Sequence, residues 1–165
     1  MSAGRVGIGF DVHPFKEGRP LILGGVKVSY PRGLDGHSDA DVVCHALADS
    51  ILGAMALGDI GTHFPSSDPR WSGASSVDLL ARVYRMAAAE GYEALNVDVT
   101  VVAQEPRISP HVEDMRANIA AALAMPRQRV SVKATTTDGL GFCGRGEGIA
   151  ALAVSLLVPA LDPAK

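Results

Sequence analysis

The 165-residue sequence predicts an α+β fold, a single mixed β-sheet with helices packed on one face. Three observations lead there. The segments NVDVTVVAQ and RVSVKATTT alternate with the period of two of half-buried strands. Between them and the chain's N-terminal strand lie stretches of helical period, so the order reads strand, helix, helix, strand, helix, strand, strand. The length fits one α/β two-layer domain spanning 1–165, with too few helices to cover both faces of a sheet. The uncovered apolar face is therefore expected to meet copies of the same chain in a closed homo-oligomer.

Arg5 to Phe10, continued by Asp11-Val12-His13, reads as the first strand, and Pro14 is expected to end it by removing a ladder donor. GRPLILGGVKVSYPRG mixes a short apolar run with Gly-Gly and two prolines, which predicts an extended excursion or hairpin. SDADVVCHALADSILGAMALG opens with Ser38 and Asp41 in a capping pattern and runs through good helix formers to Gly58, so it reads as a helix. DIGTHFPSSDPRWSG, rich in Gly, Pro, Ser and Asp, reads as a long loop. A second helix starts near Ser75-Ser76, carries Leu79, Leu80, Val83 and Met86 at helical spacing, and stops at Gly91. In NVDVTVVAQ, Val97, Val99 and Val101 share one strand face. A third helix follows Pro110 with the stripe Val112, Met115, Ile119 and Leu123. RVSVKATTT is the next strand, DGLGFCGRGEG puts five glycines in eleven residues, and IAALAVSLLV closes the order as a short apolar strand.

Composition removes several classes of function. Net charge is −3 and the 15 Lys and Arg residues are scattered, which leaves no basic footprint for nucleic acid or an anionic membrane. No stretch approaches the roughly 20 apolar residues of a spanning helix, and MSAGRVGIGF lacks the apolar core of a signal peptide, so a cytoplasmic protein is expected. Cys44 and Cys143 show no CxxC spacing, and both are expected to be reduced.

Several polar residues do not fit a core. Asp11 and His13, two apart on a strand, project together. His45 and Asp49 lie at i and i+4 on one helix face. With His37, Asp39 and Asp41, acids and imidazoles accumulate in two short segments. Asp11, His13 and His45 would make a His₂Asp set with a fourth position open, the arrangement of a catalytic zinc, although other divalent ions suit the same donors. On spacing alone, Asp-x-His at a strand end also serves as a turn or capping pair, and a helix histidine as a hydrogen-bonded core residue. KATTTD followed by GLGFCGRGEG offers hydroxyls, a lysine and free backbone N–H groups to a phosphate, or else an edge strand and a glycine turn. DIGTHFPSSD is a surface loop, or a site where Asp59 accepts hydrogen bonds from a diol.

GFDVHPF, HSDADVVCHALADSILGAMALGDIG, FPSSDP, NVDVTVVAQEPRISPH, VKATTTDGLGF and GRGEGI, in this order over nearly the whole chain, resemble the 2-C-methyl-D-erythritol 2,4-cyclodiphosphate synthase family. The resemblance implies a homotrimer with sheets packed around the trimer axis and active sites between subunits. It implies that 4-diphosphocytidyl-2-C-methyl-D-erythritol 2-phosphate is cyclised by attack of its 2-phosphate on the β-phosphorus, with release of CMP, in the non-mevalonate isoprenoid pathway. Zinc, or another divalent transition metal, would sit on Asp11, His13 and His45. Magnesium or manganese, held mainly by substrate phosphates, would lie near Asp138. His37 and Thr136 would stabilise the transition state, Ser38 would contact phosphate, and Asp59, Ile60 and Gly61 would hold the erythritol. Asp49 would support the metal ligands or contact the polyol. The loop residues Phe64, Pro65, Ser66, Ser67 and Asp68 would close on the substrate. The neighbouring subunit would supply the cytidine pocket through the run Ala103, Gln104, Glu105, Pro106, Arg107, Ile108 and Ser109, and through Lys133, Thr135 and Thr137. Phe142, Arg145 and Glu147 resemble the lining of an axial cavity that takes an isoprenoid diphosphate, with Arg145 as its anchor.

Three positions depart from the family's frequent residues: Ser66 for Asp, Asp138 for Glu, and Arg107 for Lys, which keeps charge but not geometry. Two other functions would use the same residues. One is a zinc-dependent nucleotide diphosphate hydrolase in which metal-bound water attacks, and the other a trimeric isoprenoid-diphosphate or metal-binding module without turnover. The presence of His37, Thr136 and all three ligands favours the synthase.

Overall fold

The computed structural model describes residues 3–160. In chain order the strands are β1 (Arg5–Glu17), β2 (Leu21–Leu23), β3 (Val26–Val28), β4 (Arg32–Leu34), β5 (Tyr92–Val102), β6 (Val130–Thr135) and β7 (Gly148–Pro159). The helices are α1 (Val42–Met55), α2 (Ile60–His63), α3 (Ser76–Ala89), α4 (Val112–Ala122) and α5 (Gly141–Gly144). One five-stranded sheet has the order β4-β1-β7-β5-β6, in which only β5 and β6 run parallel. The remaining strands, β2 and β3, form a hairpin whose turn residues Gly24 and Gly25 both have φ above zero, the backbone that a tight hairpin turn requires.

The two faces of β1 differ in kind. Gly7, Gly9, Asp11 and His13 face α1, while Val6, Ile8, Phe10 and Val12 point the other way. A Cβ on Gly7 would lie 1.9 Å from the Ser50 carbonyl oxygen, and one on Gly9 2.0 Å from that of Ala46. The helix therefore rests directly on the strand backbone. α1 also packs on β7, and α3 and α4 extend the helical layer over β5 and β6. Between the layers lie Leu47, Ile51, Leu52, Leu80, Met115, Ile119, Val97, Val99, Val101 and Leu157, all essentially buried. On the far face Val6 is 68% exposed and Phe10 57%, beside Leu152 and Val154 of β7. Among the described residues no helix is long and apolar enough to cross a membrane.

Three details depart from the sequence reading. Pro14 does not end β1, which leaves β7 after the Pro14↔Gly148 pair and continues to Glu17 alongside β4. The Pro14 carbonyl accepts from the Asp35 N–H, so the donor that proline lacks would point past the last paired residue of β4 and costs no ladder bond. The first long helix begins at Val42, capped by Asp41 rather than Ser38, and ends at Met55, before Gly58. The buried Asp41 carboxylate accepts from the N–H groups of Val43 and Cys44 and also from those of Gly24 and Gly25, so one side chain caps α1 and holds the hairpin to it. Ala40 at φ 57° and Ala56 at φ 57° turn the chain at each end, in a left-handed conformation that alanine adopts only where its surroundings enforce it. Finally, the long loop is not irregular throughout, because it contains α2 and a 3₁₀ turn at Pro69–Trp71.

Candidate metal centre and flanking clefts

Beyond the two glycines, the inward face of β1 turns polar just where the first turn of α1 passes over it. Asp11 Oδ2 lies 3.0 Å from His13 Nε2 and 3.0 Å from His45 Nδ1, and the two nitrogens are 3.2 Å apart. A tetrahedral ion with bonds near 2.0–2.1 Å separates its ligands by about 3.3 Å, so the triangle has close to the size that such an ion requires. These residues form a candidate metal site. Each imidazole is held from behind. His13 Nδ1 donates to the Asp35 carbonyl at 2.6 Å, which leaves Nε2 to face the site. His45 Nε2 meets Ser76 Oγ at 2.9 Å and Ser38 Oγ at 3.1 Å.

Burial and mutual charge act in opposite directions on these groups. Burial pushes the Asp11 carboxyl up, but hydrogen bonds and charge from His13 and His45 outweigh it and hold the carboxyl well below its usual range. Burial pulls His13 down, and the Asp11 carboxylate and Asp35 carbonyl more than reverse that. Asp49, one helical turn beyond His45, is raised by burial while its Oδ1 accepts from the Ile60 N–H at 2.7 Å. It therefore supports the start of α2.

The candidate triad lies against a cleft of about 220 Å³ lined by His13, His37, Ser38, His45, Ile60, Gly61, Phe64, Ser66, Trp71 and Leu79. Asp59 caps α2, with Oδ1 accepting from the N–H and hydroxyl of Thr62 at 2.8 Å each, which lowers its pKa. The loop carrying Pro65 and Ser67 returns through Asp68, whose carboxylate grips Arg70 and whose carbonyl lies 3.3 Å from His37 Nε2. Phe64 stacks edge-on against Trp71, with ring centroids 5.0 Å apart.

A second, wider cleft of about 580 Å³ is lined by Tyr30, the run Ala103 to Ser109, Ala134, Thr135 and Thr136. The structure thus brings together most of the expected nucleotide-binding residues, but in a cleft separate from the candidate triad. Thr136 belongs to this cleft and His37 to the other, so a single chain does not unite the expected catalytic pair. Lys133 does not line it. Although it shares a strand face with Thr135, its Nζ holds both oxygens of Asp98 at 2.5 and 2.6 Å instead. Nor do Thr137, whose hydroxyl donates to the Leu140 carbonyl, or Asp138, whose Oδ1 accepts from Thr136 at 3.2 Å. Asp138 has φ 52°, a conformation aspartate tolerates better than longer side chains. Arg107 Nε donates to Ser109 Oγ at 3.0 Å. Phe142 is 40% exposed, and Arg145 pairs with Glu147 at 2.6 Å. Ser76, Trp71 and Tyr30 carry no motif and enter these sites only through the fold.

Comparison with known proteins places the fold. A curated 2-C-methyl-D-erythritol 2,4-cyclodiphosphate synthase of Geobacillus kaustophilus (strain HTA426) is 59% identical over 153 residues, 93% of this chain and 97% of the relative. The solved IspF of Plasmodium falciparum in complex with CDP superposes with a TM-score of 0.85 at 35% identity, covering 98% of this chain and 99% of that one. The bifunctional IspDF of Campylobacter jejuni superposes with a TM-score of 0.93 at 44% identity over 99% of this chain, which spans 44% of that longer protein. With the YgbB family model matching residues 4–158 as well, the chain belongs to the YgbB family, among relatives that are cyclodiphosphate synthases.

Proposed function

We propose that this chain converts 4-diphosphocytidyl-2-C-methyl-D-erythritol 2-phosphate to 2-C-methyl-D-erythritol 2,4-cyclodiphosphate and CMP. An oxygen of the 2-phosphate forms a bond to the β-phosphorus, the bond from that phosphorus to the oxygen bridging it to the α-phosphate breaks, and CMP leaves with the electron pair. The nucleophile is already an anion, so the residues need to bend the substrate and hold its phosphates together rather than remove a proton. The observation that carries this reading is the 3.0–3.2 Å triangle of Asp11, His13 and His45 beside a cleft bearing His37, Ser38, Ile60 and Gly61.

Zinc on the triad, with magnesium or manganese on the substrate phosphates, would polarise phosphate oxygens and offset their repulsion. Asp59 has Oδ1 committed to Thr62, which leaves Oδ2 for an erythritol hydroxyl. His37 at the cleft, and Thr136 from the second cleft, would donate to the developing charge. Because those two clefts are separate in one chain, the complete site would form where subunits of a homotrimer meet, the bare sheet faces packing around the axis. The backbone of Ala103 to Ser109 would then hold cytidine. Phe142, Arg145 and Glu147 would line an axial cavity with room for an isoprenoid diphosphate. The setting would be the cytoplasm.

The test is ³¹P NMR of the purified protein with that substrate, zinc and magnesium. A cyclic diphosphate appearing together with CMP is expected. CMP with a linear phosphate would overturn the synthase in favour of a hydrolase, and an unchanged spectrum would leave only a binding protein.

A further inference from the structure

We propose that Ser76, held by Asp39, is a positioning residue that fixes the His45 ring so that its Nδ1 lone pair faces Asp11 and His13. The inference rests on the metal reading of that triad. Ser76 is the first residue of α3 and is 1% exposed, so solvent does not compete for its hydroxyl. Its Oγ hydrogen-bonds to Asp39 Oδ1, and its backbone N–H donates to Asp39 Oδ2 at 3.0 Å. Asp39 is itself anchored through its N–H to the Ala74 carbonyl at 3.1 Å.

The direction of the chain follows from proton counting. A carboxylate only accepts, so the single hydroxyl proton of Ser76 goes to Asp39. Ser76 Oγ must then accept from His45 Nε2, 2.9 Å away. A neutral imidazole carries one N–H, and placing it on Nε2 leaves the lone pair on Nδ1. Ser38 is consistent with this polarity: its Oγ accepts from the Ala40 N–H at 3.1 Å and lies 3.3 Å from Ser76 Oγ, to which its own proton can go. His13 reaches the equivalent state through a backbone carbonyl. His45 instead depends on a side-chain relay that crosses from α3 to α1, and a single substitution can break it.

The experiment measures zinc affinity by competition with a chromophoric chelator, alongside the thermal melt of each metal-free protein. The wild type and the variants Ser76→Ala, Ser76→Thr and Asp39→Asn are compared, with His45→Ala as the reference for a lost site. Expected is a roughly 10–100-fold loss of zinc affinity in Ser76→Ala, with a metal-free melt close to wild type and recovery in Ser76→Thr, which keeps the hydroxyl. Asp39→Asn should fall between, since one oxygen remains to accept from Ser76. Wild-type affinity in Ser76→Ala, or equal losses in the Ala and Thr variants, would overturn the relay. A wild-type protein that takes up no zinc would overturn the metal reading itself, and the relay with it.

Discussion

The two faces of β1 reverse the usual arrangement of a sheet strand. Toward its own helices the strand presents Gly7, Gly9, Asp11 and His13, and away from them Val6, Ile8, Phe10 and Val12. An ordinary two-layer protein keeps its apolar residues on the inward side and leaves polar ones outside. Here the inward side is used for contact distance and chemistry. The glycines let α1 approach until His45 reaches Asp11 and His13, and the hydrophobic burial that the strand forgoes inside is available on its other face. β1 thus has one face buried within the chain and a second, apolar face that the described residues leave exposed.

That contrast can be broken from either side. The largest effect is expected from Gly9→Val, because even a Cβ there would lie 2.0 Å from the Ala46 carbonyl and 2.7 Å from the Ser50 N–H nitrogen. Both atoms are helix backbone, so the cost should exceed about 4 kcal/mol. Chemical denaturation measures it, and a loss under about 1 kcal/mol would mean that α1 does not need this approach. On the outward side, Phe10→Glu should leave the far-ultraviolet circular dichroism of the chain intact while lowering its mass in sedimentation velocity from oligomer to monomer. An unchanged mass would show that the bare face is not the interface.

The smallest effect concerns protons on the inward face. Asp11 is held below its usual 3.8, so its contribution to stability is present above that pH and is lost as the pH falls through its folded value. His13 is raised above 6.5, so its contribution is present below that pH and is lost as the pH rises through its folded value. The metal-free protein should therefore gain most from this pair between those two limits and lose stability on going to pH 8. Zinc requires neutral His13, so stabilisation by zinc should grow over the same rise in pH. Thermal melts with and without zinc check both slopes, and parallel curves would argue against a metal on His13.

Much of this was visible in the chain. Strand and helix periods located the sheet, and the i, i+2 pair Asp11 and His13 is legible because strand geometry leaves no other orientation. His45 is less so, since its reach depends on two missing methyl groups on another element. Ser76 could not be read at all. It is one serine of a Ser-Ser pair that predicts only a helix start, and its partner Asp39 is 37 positions away. Nearby signals also competed: Ser38 and Asp41 both look like caps, and the choice fell to Asp41 because Gly24 and Gly25 offer it two further donors. The separation of His37 from Thr136 depends on tertiary structure, which no spacing encodes.

The strand order has a consequence for how the protein reaches its native state. β7, last of the strands in chain order, lies at the centre of the sheet between β1 and β5, and its pairing with β1 joins Arg5 to Leu157. The earlier strands lack their central partner until it arrives, and closing that long loop is an entropic cost met before the pairing can repay it. The Gly24–Asp41 clamp spans only 17 positions and can form early. Asp11 and His13 sit opposite Ala151 and Ile149 of β7, so the strand that carries the candidate metal ligands completes its pairing only when the two ends of the chain meet. A chain short of that step would hold its hairpin clamp while β1 still lacked one of its two sheet neighbours.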